Sequence, residues 1–147
     1  MTGAQIIGAL LRTYEPLIDL VLVERIKAGS LGDNVALPAL LVRTVSVVDR
    51  QPLKRIGAVR RTDRVSVTVR AGSYRDQEAA IRLVRDCCAG RTGDIAGASG
   101  VSILTAGTGP DLSGPANSFE QAQDVRVSFN EPVTAAAPDP STPGDVP

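Results

Sequence analysis

The stretch RVSVTVRAGSYRDQEAAIRLVRDCC, Arg64 to Cys88, constrains the fold more than any other part of the chain. Its first part alternates with a period of two. Val65, Val67 and Val69 fall on one side, and Ser66, Thr68 and Arg70 on the other. That is the pattern of a half-buried strand. After AGSY the period lengthens. Ala80, Ile81, Val84, Cys87 and Cys88 then share one helical face, with Ser73 placed as N-cap and Gly90 as the stop. A strand followed at once by its own packing helix predicts one sheet with a helix laid across it. On the helix's outer face, Glu78–Arg82 and Arg82–Asp86 stand four residues apart, as ion pairs would.

The rest of the chain supplies more elements of both kinds. Thr2 is placed to cap a first helix carrying Ile6, Ile7, Leu10 and Leu11 on one face. Pro16 opens a second helical piece, PLIDLV. VERIKAGSLGDN reads as a short extended piece and a turn. Pro38 leads into a strand over Leu40 to Val48. Residues 49–61 read as a basic loop, so the two long strands form a hairpin with an extended arm. GRTGDIAGASG and GTGPDLSGPANS read as loops around a short strand, Val101 to Thr105, and Asp124 to Phe129 is a last alternating strand. The expected class is α+β: a mostly antiparallel sheet of about four strands with helices packed on one face. Residues 1–131 are expected to form one domain. Residues 132–147, a Pro/Ala-rich C-terminal tail, hold little apolar surface to bury.

Composition limits the chemistry. The chain has 147 residues, 43% of them hydrophobic, but only two Tyr, two Phe and no Trp, so the core must be aliphatic. There is no histidine, which removes Ser–His and Cys–His pairs and the commonest zinc ligand. Cys87 and Cys88 are adjacent, match neither CxxC nor a zinc spacing, and fit the buried face of their helix. The glycine-rich stretches lack the GK[ST] of a phosphate loop, since no lysine follows Lys54. Carboxylates such as Asp49 and Asp63 are expected at the solvated surface. No catalytic residue, cofactor site or metal site is expected, and the chain is not expected to be an enzyme. No signal peptide or membrane-spanning stretch is read at this level.

Net charge is zero, yet unevenly spread. Arg50, Lys54, Arg55, Arg60, Arg61 and Arg64 stand against Asp49 and Asp63 alone. From Asp111 onward the balance reverses, with six carboxylates and Arg126 as the sole base. The basic arm is the strongest functional signal. Arginine suits phosphate contact, but no aromatic stands in the arm to stack on a base, so contact with nucleic acid would be electrostatic and salt-sensitive. The arm can equally meet an acidic surface between copies.

The succession ALPALLVRTVSVV, then DRVSVTVRAGSYRDQEAAIRLVRDC, then a glycine-rich stretch, a short strand and QAQDVRVSF resembles the tail terminator, or tail completion, proteins of long-tailed bacteriophages and gene-transfer particles. The similarity covers roughly residues 2–132. It implies a structural virion protein, assembled in the host cytoplasm, that forms a homohexameric ring at the head-proximal end of the tail tube. Such a ring ends tube polymerisation and joins the tail to the head connector in the neck, and DNA passes through its lumen. The partners implied are further copies, the tail tube protein and the connector, with non-specific DNA contact and no membrane. The alternatives are a head-completion or connector protein of the neck, and a nucleic-acid-binding module using the arginine arm.

Overall fold

The computed structural model of the chain describes residues 1–54 and 57–132. Helix α1, Gly3–Thr13, opens under a full capping box: the Thr2 hydroxyl accepts from the Gln5 amide, and the Gln5 side chain accepts from the Thr2 amide. A single turn follows, α2, Glu15–Ile18, with Pro16 in its first turn. The chain then enters β1, Ile26–Ala28, and two long strands, β2, Ala39–Arg50, and β3, Ala58–Ala71. Helix α3, Tyr74–Cys88, is capped by Ser73, whose hydroxyl accepts from the Asp76 amide at 3.2 Å. It ends where Gly90 takes φ +73°, the left-handed stop that a side chain would strain. The remaining strands are β4, Thr92–Ile95, β5, Ala98–Thr108, β6, Leu112–Ser113, and β7, Phe119–Pro132.

The strand order is β1-β2-β3-β7-β5-β4, with β6 hydrogen-bonded to β7. β1 runs parallel to β2, and every other pair is antiparallel. The α+β class stands, but the sheet is mixed and seven-stranded rather than an antiparallel sheet of about four. All four expected strands are present and each is longer than its apolar alternation. The stretch around Gly93–Gly100 is a hairpin of β4 and β5 rather than a loop. Its reversal is carried by Ala96 and Gly97, both at positive φ. Pairing with β7 holds β5 in place despite its glycines. Pro132 closes β7, so the sheet takes in the first residue of the expected tail. Residues 133–147 lie outside the described residues.

One face of β3 and β7 carries the core. Val65, which pairs with Val125, lies with Val67, Val69, Val127 and Phe129 in one cluster beneath Ile6, Ile7 and Leu11 of α1 and Ala80, Val84, Cys87 and Cys88 of α3. Both helices therefore sit on the same face. Each buried Val, Leu, Ile or Phe contributes about 1.5–3 kcal/mol. The two cysteines are core residues as expected. A hydrogen bond to Cys87 and burial hold the Cys88 thiol well above its ordinary range. The expected pairs Glu78–Arg82 and Arg82–Asp86 do not close as ion pairs within 4 Å.

Candidate functional site: the basic arm and its anchoring

Beyond Val42, β2 runs on as the outer strand of the sheet, beside a β3 that stays paired with β7 along its whole length. Its burial ends abruptly, and residues 43–50 are all exposed. β3 returns alongside it, with Arg50 opposite Arg60 and Asp49 opposite Arg61. Of the basic segment expected as a loop over 49–61, residues 49–50 and 58–61 are strand and form the end of a β2–β3 ribbon whose inner strand is also paired with β7. A register shift between Thr44 and Ser46 interrupts the β2–β3 pairing. Because β1 reaches only as far as Val42, the outer edge of β2 from Arg43 to Arg50 has no neighbouring strand among the described residues. Val45, Val47 and Val48 are 57%, 43% and 56% exposed there, and Leu53 at the tip is fully exposed.

The six basic residues separate into distinct environments. Arg61 lies on the core side of β3. Its Nε donates to Asp63 Oδ1 at 2.6 Å and its Nη2 to Asp63 Oδ2 at 2.9 Å. Nη1 reaches Glu131 at 3.1 Å, and the guanidinium stacks 5.6 Å from the Phe129 ring centroid. The hydrogen bonds from Asp63 outweigh burial and raise the Arg61 pKa above its ordinary value. Asp63 is fully buried, contrary to its expected place at the surface. The alternation that turns Val65, Val67 and Val69 inward also turns Asp63 and Arg61 inward. The Gly3 amide, at the N-terminus of α1, donates to Asp63 Oδ2 at 2.7 Å. A carboxylate at a helix N-terminus is favoured by the dipole, so this group both satisfies an arginine and pins α1 to β3. Gly3 is required by this approach, since a Cβ there would stand 2.6 Å from the Asp63 Cβ.

Arg60 and Arg64 lie on the opposite face. Arg60 donates to the Gly100 carbonyl, to Asn130 Oδ1 and to Ser102 Oγ, tying β3 to β7 and β5. Arg64 pairs with Asp124 at 2.8 Å and donates to the Ala106 carbonyl. Arg70, further along, pairs with Glu120 at 2.7 Å and donates to the Gly32 carbonyl. Arg50 and Lys54 are exposed and make no ion pair with the described residues. Arg55 lies outside the described residues. The structure therefore brings Arg60, Arg61 and Arg64 into the sheet's own polar network and leaves Arg50 and Lys54 free on the ribbon. Extending the period-two count from Val65 back to Arg60 is the signal that would have separated them.

An open groove of about 520 Å³ runs between α3 and β5. Glu78, Arg82, Arg85 and Asp86 border it from the helix, and Thr105 and Thr108 from the strand. Its charged side chains are two acids and two bases of one helix. Among the described residues, no three His, Cys, Asp or Glu side chains are grouped to hold a metal ion. No helix there is long and apolar enough to cross a membrane.

No protein-family model matches the chain, and no curated protein matches it. Among solved structures, it is similar to a chain of the virion of a native gene transfer agent (GTA) particle. The TM-score is 0.64 over 87% of this chain and 94% of that one, at 11% identity. The two chains share a fold. They do so over most of both chains rather than over one motif.

Proposed function

We propose that the chain is a structural virion protein of a phage tail or a related gene-transfer particle. In this reading it forms a ring at the head-proximal end of the tail tube, where it ends tube polymerisation and joins the tail to the head connector. The observation that carries the reading is the shared fold with a virion chain over 87% of the sequence. The order of motifs across residues 2–132 supports the narrower assignment to tail termination. The surface supports a role carried out between chains. A bare, valine-rich strand edge of eight residues is a pairing hazard for a lone globule and a ready interface for an assembly. Asp63, Arg60, Arg61 and Arg64 serve the sheet's own polar network, and in this reading the ring catalyses nothing.

Among the described basic residues of the arm, Arg50 and Lys54 are the ones available to a neighbour or to DNA in the lumen. The internal engagement of Arg60, Arg61 and Arg64 weakens the alternative of an independent nucleic-acid-binding module. Purified chain mixed with tail-tube subunits tests the proposal. A stable complex that caps tubes and stops their growth is expected. Tubes that elongate unchecked in its presence would refute it.

A further inference from the structure

Both long helices cover one face of the sheet, and the strand register sets out the residues of the other. Residues directly opposite on paired strands share a face. Asp63, Val65 and Val67 point toward the helices, so Arg60, Thr62 and Arg64 point away from them, each in a rung that crosses the strands. Arg50, Arg60 and Asn130 form the outermost rung. Val48, Thr62, Ser128 and Ser102 form the next. Ser46, Arg64, Arg126 and Leu104 form the third. These rungs hold four arginines, several hydroxyls and no carboxylate. Two acids border them. Asp124, one rung further on with Arg43 and Ser66, pairs with Arg64 at 2.8 Å. Asp94 of β4 accepts from the Gly100 amide at 3.2 Å.

The arrangement of the arginines does not serve the stability of a lone chain. Arg50 stands directly opposite Arg60, and Arg64 directly opposite Arg126. Like charges so placed destabilise a sheet. Asp124 compensates Arg64. Arg60 donates to neutral acceptors, the Gly100 carbonyl, Asn130 and Ser102, and makes no ion pair with the described residues. Arg50 and Arg126 are exposed and make none either. Positive charge kept where the fold gains nothing from it points to an anion supplied from outside.

What stands between the arginines gives the class of that anion. No aromatic lies on the rungs, so a base has nothing to stack on. The exposed apolar side chains are Val48 and Leu104, on opposite sides of the face, too few and too separate for the apolar core of a protein interface. Arginine with Ser and Thr hydroxyls is the set that contacts phosphate oxygens. Arg50 and Arg126 are two strands and two rungs apart, about 17 Å. Duplex DNA presents about ten phosphates over that length.

We propose that this helix-free face binds the phosphate backbone of duplex DNA without reading its sequence, through Arg50 and Arg126 with the uncompensated charge of Arg60 between them. Arg126, the sole base of the acidic last part of the chain, thereby joins a basic surface that sequence order conceals. The inference rests on the ring reading for its setting, DNA in a lumen, and on the face alone for its chemistry. Strand pairing along the bare edge of β2 leaves the face open, so assembly and DNA contact do not compete.

Fluorescence anisotropy of a short labelled duplex, titrated with the full chain, tests it. Affinity is expected to fall steeply with salt and to be the same for unrelated sequences. Arg50→Ser and Arg126→Ser are each expected to weaken binding about tenfold at low salt and to reduce the salt slope by about one. Unfolding in urea is expected to stay unchanged or to move to higher denaturant, since each substitution removes a like-charge pair. Arg126→Lys keeps the charge and is expected to keep most of the affinity. Binding undiminished by the two serine substitutions, or polyglutamate bound as tightly as the duplex, would overturn the proposal. Tube capping reads the ring separately. A chain that binds duplex through these arginines yet caps no tubes keeps the face and loses the ring reading. A chain that caps tubes yet ignores duplex loses the face alone.

Discussion

Asp63 accepts three hydrogen bonds, more than any other carboxylate described, and its loss should be felt accordingly. Asp63→Ala leaves the Arg61 guanidinium, 15% exposed, without its closest anion, and frees the Gly3 amide. Breaking a buried pair on one side is expected to cost about 3 kcal/mol in urea unfolding. A loss under about 1 kcal/mol would show that the carboxylate does not anchor α1. Arg50→Ala is expected to change stability by no more than about 0.5 kcal/mol, as an exposed unpaired side chain should. Tyr74 offers a pH test. Hydrogen bonds with Glu78 and Asp111 push its phenol up to about 12 from an ordinary value near 10. The neutral phenol is therefore favoured in the folded state. Its contribution is complete below pH 10 and is lost as pH rises from 10 toward 12. Tyr74→Phe should remove that part of the alkaline fall in stability, and an unchanged fall would contradict it. At this scale the sequence was legible wherever period two was followed. Val65, Val67 and Val69 face the core as their spacing implies. The same parity continued to Asp63 and Arg61, but the rule that charged groups stay at the surface masked it. A buried charge becomes affordable only when partners distant in sequence, here Gly3 and Glu131, arrive at the same point, and no local pattern announces them.

The ribbon is the element whose form departs most from its sequence pattern. Between Asp49 and Arg61 there is too much charge and too little alternation for a strand to be read, and Pro52 and Gly57 point to a turn. Backbone pairing extends both strands regardless, because β7 holds β3 along its whole length and β2 follows β3 outward through one register shift. Short β4 and β6 were illegible for a related reason: each exists only by hydrogen-bonding to a longer neighbour. The capped helices α1 and α3 were legible because Thr2, Ser73 and Gly90 fix their ends locally. Replacing Gln51–Val59 by Asn-Gly closes the ribbon with a tight turn between Arg50 and Arg60. Thermal unfolding should then shift little, since none of the described residues removed belongs to the buried core. Self-association should fall. A large drop in the unfolding temperature would mean that the tip supports the fold itself.

At the scale of the whole molecule, the fold provides a sheet backed by two helices on one face, with a bare, valine-rich strand edge along the outer part of β2. Such an edge suits a subunit that meets other chains in an assembly. The mass of the assembled species, against 15.3 kDa for the chain, gives the copy number directly, and six is expected. The most direct test of the central claim is electron microscopy of particles made in cells lacking this chain. The account predicts filled heads separate from tails that are overlong or unjoined. Normal particles with tails of uniform length attached to heads would contradict it.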